Sequence, residues 1–229
     1  MPIDTLCKIN PTSRECYAAQ GPGIGAGVST LEHFEALSGR RMQPTDVCLD
    51  IGCGDGQTLK TFRQERSIRK THALGVDIAL ACKPVANDFG FYLKILDVSH
   101  QPLPHSDDSI DLAFCTETIE HLSNPYHMVC EVKRVLKHEG LFTLAFPMPE
   151  DNLGYGGGQH AHVYPGFLMK DSFERFMMQM YFKQVAYRPN GSSAWYVFKN
   201  YKGPGIVDVF EVISGNYTEQ QLYGCLTDF

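Results

Sequence analysis

LDIGCGDG (49–56) decides the architecture of this chain. With the residues before it, it forms DVCLDIG (46–52), an apolar run as long as a buried strand. The run delivers Asp50. Three glycines follow, Gly52, Gly54 and Gly56, and then a helical stretch over 57–70. Glycines let a backbone turn sharply and let a ligand approach it closely. In an open parallel sheet, ligands sit beyond the carboxyl ends of the strands. The loop after Asp50 is therefore the first candidate cradle.

The same alternation continues outward. THALGVD (71–77), FYLKILD (91–97), IDLAFCTE (110–117) and GLFTLAF (140–146) read as four more strands. Helices are expected over 29–38 with Ser29 or Thr30 as cap, 57–70, 79–88, 125–138 and 166–180. Met128, Val129, Val132, Val135 and Leu136 recur at helical spacing, and Glu139-Gly140 stops that helix. FKQVAYR (182–188) and SAWYVFKN (193–200) flank Pro189, Asn190, Gly191 and Ser192 as a hairpin. Strands alternating with helices define an α/β fold. The expected form is a Rossmann-like, doubly wound, mostly parallel seven-stranded sheet with an antiparallel C-terminal hairpin. Three parts follow: a cap or lid segment over 1–45, the sheet domain over 46–201 and an extension over 202–229. The glycine-rich YAAQGPGIGAG (17–27) is either a lid over the cradle or a connector.

Bulk properties narrow the classes. The 229 residues suit one sizeable domain. A net charge of −6 argues against a broad nucleic-acid-binding face. Arg63, Arg66, Arg69 and Lys70 cluster, as do Arg40 and Arg41, and read as solvated surface. No apolar run reaches the roughly 20 residues of a membrane span, and no signal peptide is visible. None of the eight cysteines forms a Cys-x-x-Cys pair. Cys48, Cys115 and Cys130 read as small core residues. A reducing, cytoplasmic compartment is expected.

The spacing Gly52-x-Gly54-x-Gly56 places Gln57 where a dinucleotide-binding loop wants its third glycine. With the acid before it, the loop resembles the first motif of class I S-adenosylmethionine-dependent methyltransferases. The second strand ends in Asp77, 27 residues after Asp50, and the third in Asp97-Val98. HQPLPHSDDSIDLAFCTETIEHL (100–122) and VLKHEGLFTLAFP (135–147) are similar to the family's later segments. The resemblance spans about 45–200. It implies S-adenosylmethionine as cofactor. Asp50, Gly52, Gly54 and Gly56 would face its methionine part, and Asp77 with Ile78 its ribose. Asp97 and Val98 would flank the adenine, and Thr116 the floor beside the sulfonium.

CTETIEHL (115–122) lies at the substrate edge of this scheme. If a helical turn starts near Thr116, then Glu117, Glu120 and His121 share a face. Two carboxylates and an imidazole suit a divalent ion. The run resembles the Glu-x-x-Glu-His of two metal-assisted O-methyltransferase branches, one acting on catechols and one on 2′-hydroxyls of small RNAs. The resemblance implies Mg²⁺ or Mn²⁺ held by Glu117, Glu120, His121 and a later histidine, His162, with His160 as its substitute. The other reading makes Glu120 and His121 catalytic without metal, His121 serving as base or as a positioning group in a metal-independent N-, C- or O-methyltransferase. Both stay open at this point.

Three functions compete. The first is methylation of a hydroxyl on a small molecule, such as a diol, phenol or sugar. The second is methylation of RNA 2′-hydroxyl ends. The third is a silent subunit that binds the cofactor alone, which the chemistry gathered at 117–121 argues against. Nothing in the residues names the acceptor or the oligomeric state.

Overall fold

The computed structural model describes residues 27–148, 165–190 and 193–202. Helix α1 (Gly27–Ser38) precedes β1 (Cys48–Ile51), and α2 (Gln57–Arg66) follows it. Next come β2 (Ala73–Asp77), α3 (Cys82–Phe89), β3 (Tyr92–Ile95) and β4 (Ile110–Thr116). Then follow α4 (Pro125–Val135), β5 (Leu136–Pro147), α5 (Pro165–Leu168) and α6 (Lys170–Gln179). A hairpin of β6 (Phe182–Asn190) and β7 (Ser193–Asn200) closes the order.

The seven strands form one sheet, ordered β3-β2-β1-β4-β5-β7-β6. Strands β1 to β5 are mutually parallel, and β7 runs antiparallel to both its neighbours. The chain order reverses between β1 and β4, where Leu49 pairs with Leu74 on one side and Ala113 on the other. That reversal opens a crevice at the carboxyl ends of the strands. Both faces of the sheet are covered. Leu31, Phe34, Leu59 and Phe62 of α1 and α2 pack with Phe114 on one face. Met128, Val132, Phe173 and Met177 of α4 and α6 pack with Phe146 and Tyr196 on the other. The doubly wound, mostly parallel architecture with its antiparallel hairpin is the expected one.

Several boundaries differ, each for a local reason. The 57–70 helix ends at Arg66, because Ser67 takes a left-handed φ of 55° and returns its N–H to Phe62. The 125–138 helix ends at Val135, and Leu136 already pairs with Ile110 as strand. The buried Asn200 side chain donates to the carbonyls of Leu136 (3.0 Å) and Lys137 (3.2 Å), so a strand residue stops the helix. Glu139, at φ 61°, lies inside β5 rather than ending a helix. Ser29 and Thr30 do not cap α1, which is already helical at Gly27, and Thr30 is fully buried. Cys48 and Cys115 are buried as expected, whereas Cys130 is exposed.

The basic clusters serve the fold. Arg66 grips Glu35 through two nitrogens (2.7 and 2.8 Å), Arg63 donates to Phe89 O (2.5 Å) and Arg40 pairs with Asp46 (2.6 Å). No helix among the described residues is long and apolar enough to cross a membrane.

Candidate active site

The glycine loop leaves β1 held by its neighbour. Gly52 N–H and Cys53 N–H both donate to Val76 O, at 2.8 and 3.1 Å. Gly52, Gly54 and Gly56 all sit at positive φ, 72°, 51° and 72°. At Gly52 the close approach matters as much as the dihedral: a Cβ there would lie 2.1 Å from Thr118 Oγ1. A Cβ at Gly56 would lie 2.3 Å from the Phe91 ring. The loop then feeds α2, where Gly56 at the N-cap offers no side chain and Asp55 Oδ1 accepts from Gln57 N–H instead (3.1 Å).

Two acids stand beneath this loop. Asp77 closes β2 and accepts from Gly54 N–H on one oxygen and Ala79 N–H on the other, both at 2.8 Å. Those two bonds fix the carboxylate's orientation, and each oxygen keeps a further lone pair. Asp50 is buried, and its Oδ1 has no hydrogen-bond partner. Burial, helped by the charges of Asp77 and Asp55, pushes its carboxyl up to about 8, so it is a neutral acid at pH 7. A tight left-handed loop, an oriented carboxylate and an orphaned buried acid fit a cofactor with a diol and a charged amino-acid end.

Asp97 lies just beyond β3, beside the buried Val98. One of its oxygens accepts from Ser99 N–H (3.0 Å), the other faces His100 Nδ1 (3.0 Å), and its own N–H donates to Gln101 Oε1 (2.7 Å). Val98 O meets His127 Nδ1 at 3.0 Å. Ser99, His100, Gln101 and His127 were missed in the sequence reading. The signal was available, since an acid followed two residues on by serine favours a local side-chain turn. Ile78 is half-buried directly after Asp77. Thr116 is half-buried at the end of β4, and its carbonyl accepts from Thr118 Oγ1 (3.0 Å).

The stretch after β4 departs from the expected helical turn. Glu117 sits in the left-handed region, φ 50°, with its N–H on Ala145 O (2.7 Å). It continues the strand pairing and does not start a helix. A single 3-10 turn follows over Ile119–His121. Glu117 therefore does not share a helix face with Glu120 and His121. Glu120 turns inward, is 1% exposed, and neither carboxylate oxygen has a hydrogen-bond partner. His121 is half-buried beside it, Nε2 lying 3.6 Å from Glu120 Oε1. Burial, and then the charge of Glu117, hold the Glu120 carboxyl well above the usual range. Glu117 is exposed at the rim, yet the surrounding protein pushes its carboxyl up to about 7. Among the described residues, no three His, Cys, Asp or Glu side chains are placed to hold a metal ion. His160, His162 and the 17–26 part of the glycine-rich segment lie outside the described residues.

A doubly wound sheet with a glycine loop after its first strand, an acid closing the second and another two residues past the third defines a Rossmann-like α/β domain. Residues 49–144 match the family described as methyltransferase domain. An uncharacterised methyltransferase of Bacillus subtilis is 36% identical over 139 residues, covering 58% of this chain and 50% of that protein. The 27-O-demethylrifamycin SV methyltransferase of Amycolatopsis mediterranei is 27% identical over 105 residues, covering 43% and 38%. Among solved structures, a chain from the complex of the Haloferax volcanii Trm112 methyltransferase activator with a putative methyltransferase superposes with a TM-score of 0.60. It is 16% identical, and the match covers 77% of this chain and 94% of that one. Over residues 49–144 the chain thus matches the methyltransferase-domain family, and in sequence it is similar to methyltransferases. It spans about half the length of the curated relatives it matches.

Proposed function

We propose that this chain transfers the methyl group of S-adenosylmethionine to a hydroxyl of a small molecule, such as a diol, phenol or sugar. The observation carrying this reading is the Glu120–His121 pair past β4: a buried carboxyl without a hydrogen-bond partner, 3.6 Å from an imidazole at the carboxyl edge of the sheet. The cofactor supplies an electrophilic methyl on its sulfonium. Asp77, oriented by Gly54 and Ala79, accepts the ribose hydroxyls. Gly52, Gly54 and Gly56 with Asp50 receive the amino-acid end. Asp97, Val98 and Ile78 enclose the base and sugar, and Thr116 forms the floor. His121 takes the acceptor's proton, and Glu120, packed beside the imidazole, positions the ring. Alignment of the acceptor behind the methyl supplies most of the rate, with a ceiling of about 7–11 kcal/mol.

The Amycolatopsis relative, whose name specifies a demethylated oxygen on its substrate, supports oxygen as the acceptor atom. An RNA 2′-hydroxyl end is the alternative acceptor. The use of Arg40, Arg63 and Arg66 on internal partners favours the small molecule. Placement in the cytoplasm belongs to the same reading, supported by five free cysteines among the described residues. So does the division into a 1–45 cap, a 46–201 methyltransferase domain and a 202–229 extension.

A second reading has its own observation. Glu117 and Glu120 are both pushed up, and the charge of one raises the other, a situation that a divalent cation relieves. Glu117, Glu120 and His121 would then have to gather round Mg²⁺ or Mn²⁺ with His162, an arrangement the described residues do not form, and the ion would supply charge that lowers the acceptor hydroxyl's pKa.

The test is thermal unfolding with saturating S-adenosylhomocysteine, with and without Mg²⁺ or Mn²⁺, for the native chain and Glu120→Gln, beside turnover of a catechol and sugar panel in chelator. The product should raise the unfolding temperature by mass action. Turnover that survives chelator and falls with His121→Ala supports the base reading. A metal-dependent shift that Glu120→Gln abolishes supports the second. No stabilisation by product would sink both.

A further inference from the structure

At the end of the sheet remote from the active site, the amino-terminal ends of β4, β5 and β6 and the last residues of β7 border a groove of about 570 Å³. Four cations line it, Arg40, Lys137, Lys183 and Lys199, against two carboxylates, Asp111 and Glu139, with Arg40 held by Asp46 behind the wall (2.6 Å). Lys137 pairs with Asp111 (2.8 Å) and Lys199 with Glu139 (3.4 Å). An ammonium carries three donors, so Lys137 and Lys199 keep hydrogen bonds to offer beyond these partners. Val185, 42% exposed, adds an uncovered apolar surface to the wall. In a chain of net charge −6, a groove richer in cations than in acids stands out.

The place where the chain passes this groove is fixed. Lys133 Nζ donates to Asn200 Oδ1 (2.7 Å) and to the Tyr201 carbonyl. The Tyr201 ring meets His138 edge-on, centroids 5.6 Å apart, and both residues line the groove. Beyond Lys202 lie 203–229, which carry Asp208, Glu211, Glu219 and Asp228 and no lysine or arginine. Within them, IVDVFEVI (206–213) sets two acids among six apolar residues. Asp208 and Glu211 follow Tyr201 by 7 and 10 residues. At about 3.3–3.6 Å per extended residue they reach any part of such a groove.

We propose that the acidic, apolar segment 203–229 of this same chain packs into this basic groove. The carboxylates of Asp208 and Glu211 meet Lys183 and Lys199, and the valines and Phe210 cover Val185. Tethering at Tyr201 makes the association intramolecular, so modest contacts suffice at the high local concentration. The ion pairs lie near solvent, so salt weakens the packing. The contact lies opposite the cofactor loop and leaves the carboxyl edge of the sheet free.

Zero-length carbodiimide cross-linking of the full chain, read by peptide mass spectrometry, tests this directly. Lys199–Glu139 and Lys170–Glu174 serve as internal controls, being 3.4 and 3.0 Å apart. A mixture of ¹⁴N- and ¹⁵N-labelled protein separates links within a chain from links between copies. The expected result is Asp208 or Glu211 joined to Lys183 or Lys199 within one isotopic copy, reduced several-fold in 1 M NaCl. Asp208→Asn/Glu211→Gln should speed trypsin cleavage after Lys202. Control links without any link from 203–229 to the groove would overturn the proposal. So would links that join only light to heavy chains, which would assign the groove to a second copy.

Discussion

Gly52 lies against Thr118, so close that a Cβ on the glycine would meet Thr118 Oγ1 at 2.1 Å. This contact joins the glycine loop after β1 to the turn carrying Glu120 and His121. Gly52→Ala therefore meets two penalties, a left-handed φ and an overpacked neighbour, together about 2–4 kcal/mol. Urea unfolding should show that loss. Thr118→Ala should restore only part of it, because Thr118 Cβ itself would stand 2.9 Å from the new Cβ.

Asp77 accepts a backbone N–H on each oxygen. Asn supplies only one acceptor, so Asp77→Asn leaves one N–H opposite an amide NH₂. Stability should fall by about 1 kcal/mol. S-adenosylhomocysteine affinity should fall at least tenfold by titration calorimetry, because the ribose loses its charged acceptor. Equal affinity in native chain and variant would remove Asp77 from the cofactor site.

Asp50 gives the apoprotein a definite pH dependence. Its folded value of about 8 lies above the unfolded carboxyl value near 4, so the folded state holds the proton more tightly. That contribution is complete below about pH 4 and is lost as pH rises towards 8, at about 1.4 kcal/mol per pH unit. Glu120 acts in the same direction. Chemical denaturation between pH 5 and 8 should show stability declining. Asp50→Asn should flatten the decline, and an unchanged slope would refute the assignment.

Asn200 donates to the Leu136 and Lys137 carbonyls and accepts from Lys133 Nζ (2.7 Å). Burial pushes the Lys133 amine down to about 7, with the Lys202 charge adding to the effect. Asn200→Ala removes these bonds from a buried site and should cost about 2–3 kcal/mol in urea unfolding. A loss within error would mean that ordered water replaces the side chain.

The sheet was legible because β1 to β4 lie in short apolar runs with an acid at or next to their ends, Asp50, Asp77, Asp97 or Glu117. Helix ends were less legible where a distant residue decides them. Nothing near Val135 announces that Asn200, 65 residues on, takes up the carbonyls beyond it. The left-handed glycine loop and the place of Asp77 at the end of β2 were legible because their spacing is local. The turn at 117–121 was not, because Glu117 follows the pairing with Ala145 instead of helical periodicity. That Glu120 points inward was also hidden, since a glutamate after a strand reads as surface.

Strand β7 lies between β5 and β6, although it is the last of the three in the sequence. On the ribosome, β6 emerges with no neighbour to pair with, and the edge of β5 stays bare until 193–200 have cleared the exit tunnel. The aromatic stack of Phe146, Tyr196 and Phe198 cannot form before then. Closure of the domain thus waits for its final strand, and a chain stalled or clipped near residue 190 presents a raw sheet edge for chaperones to guard.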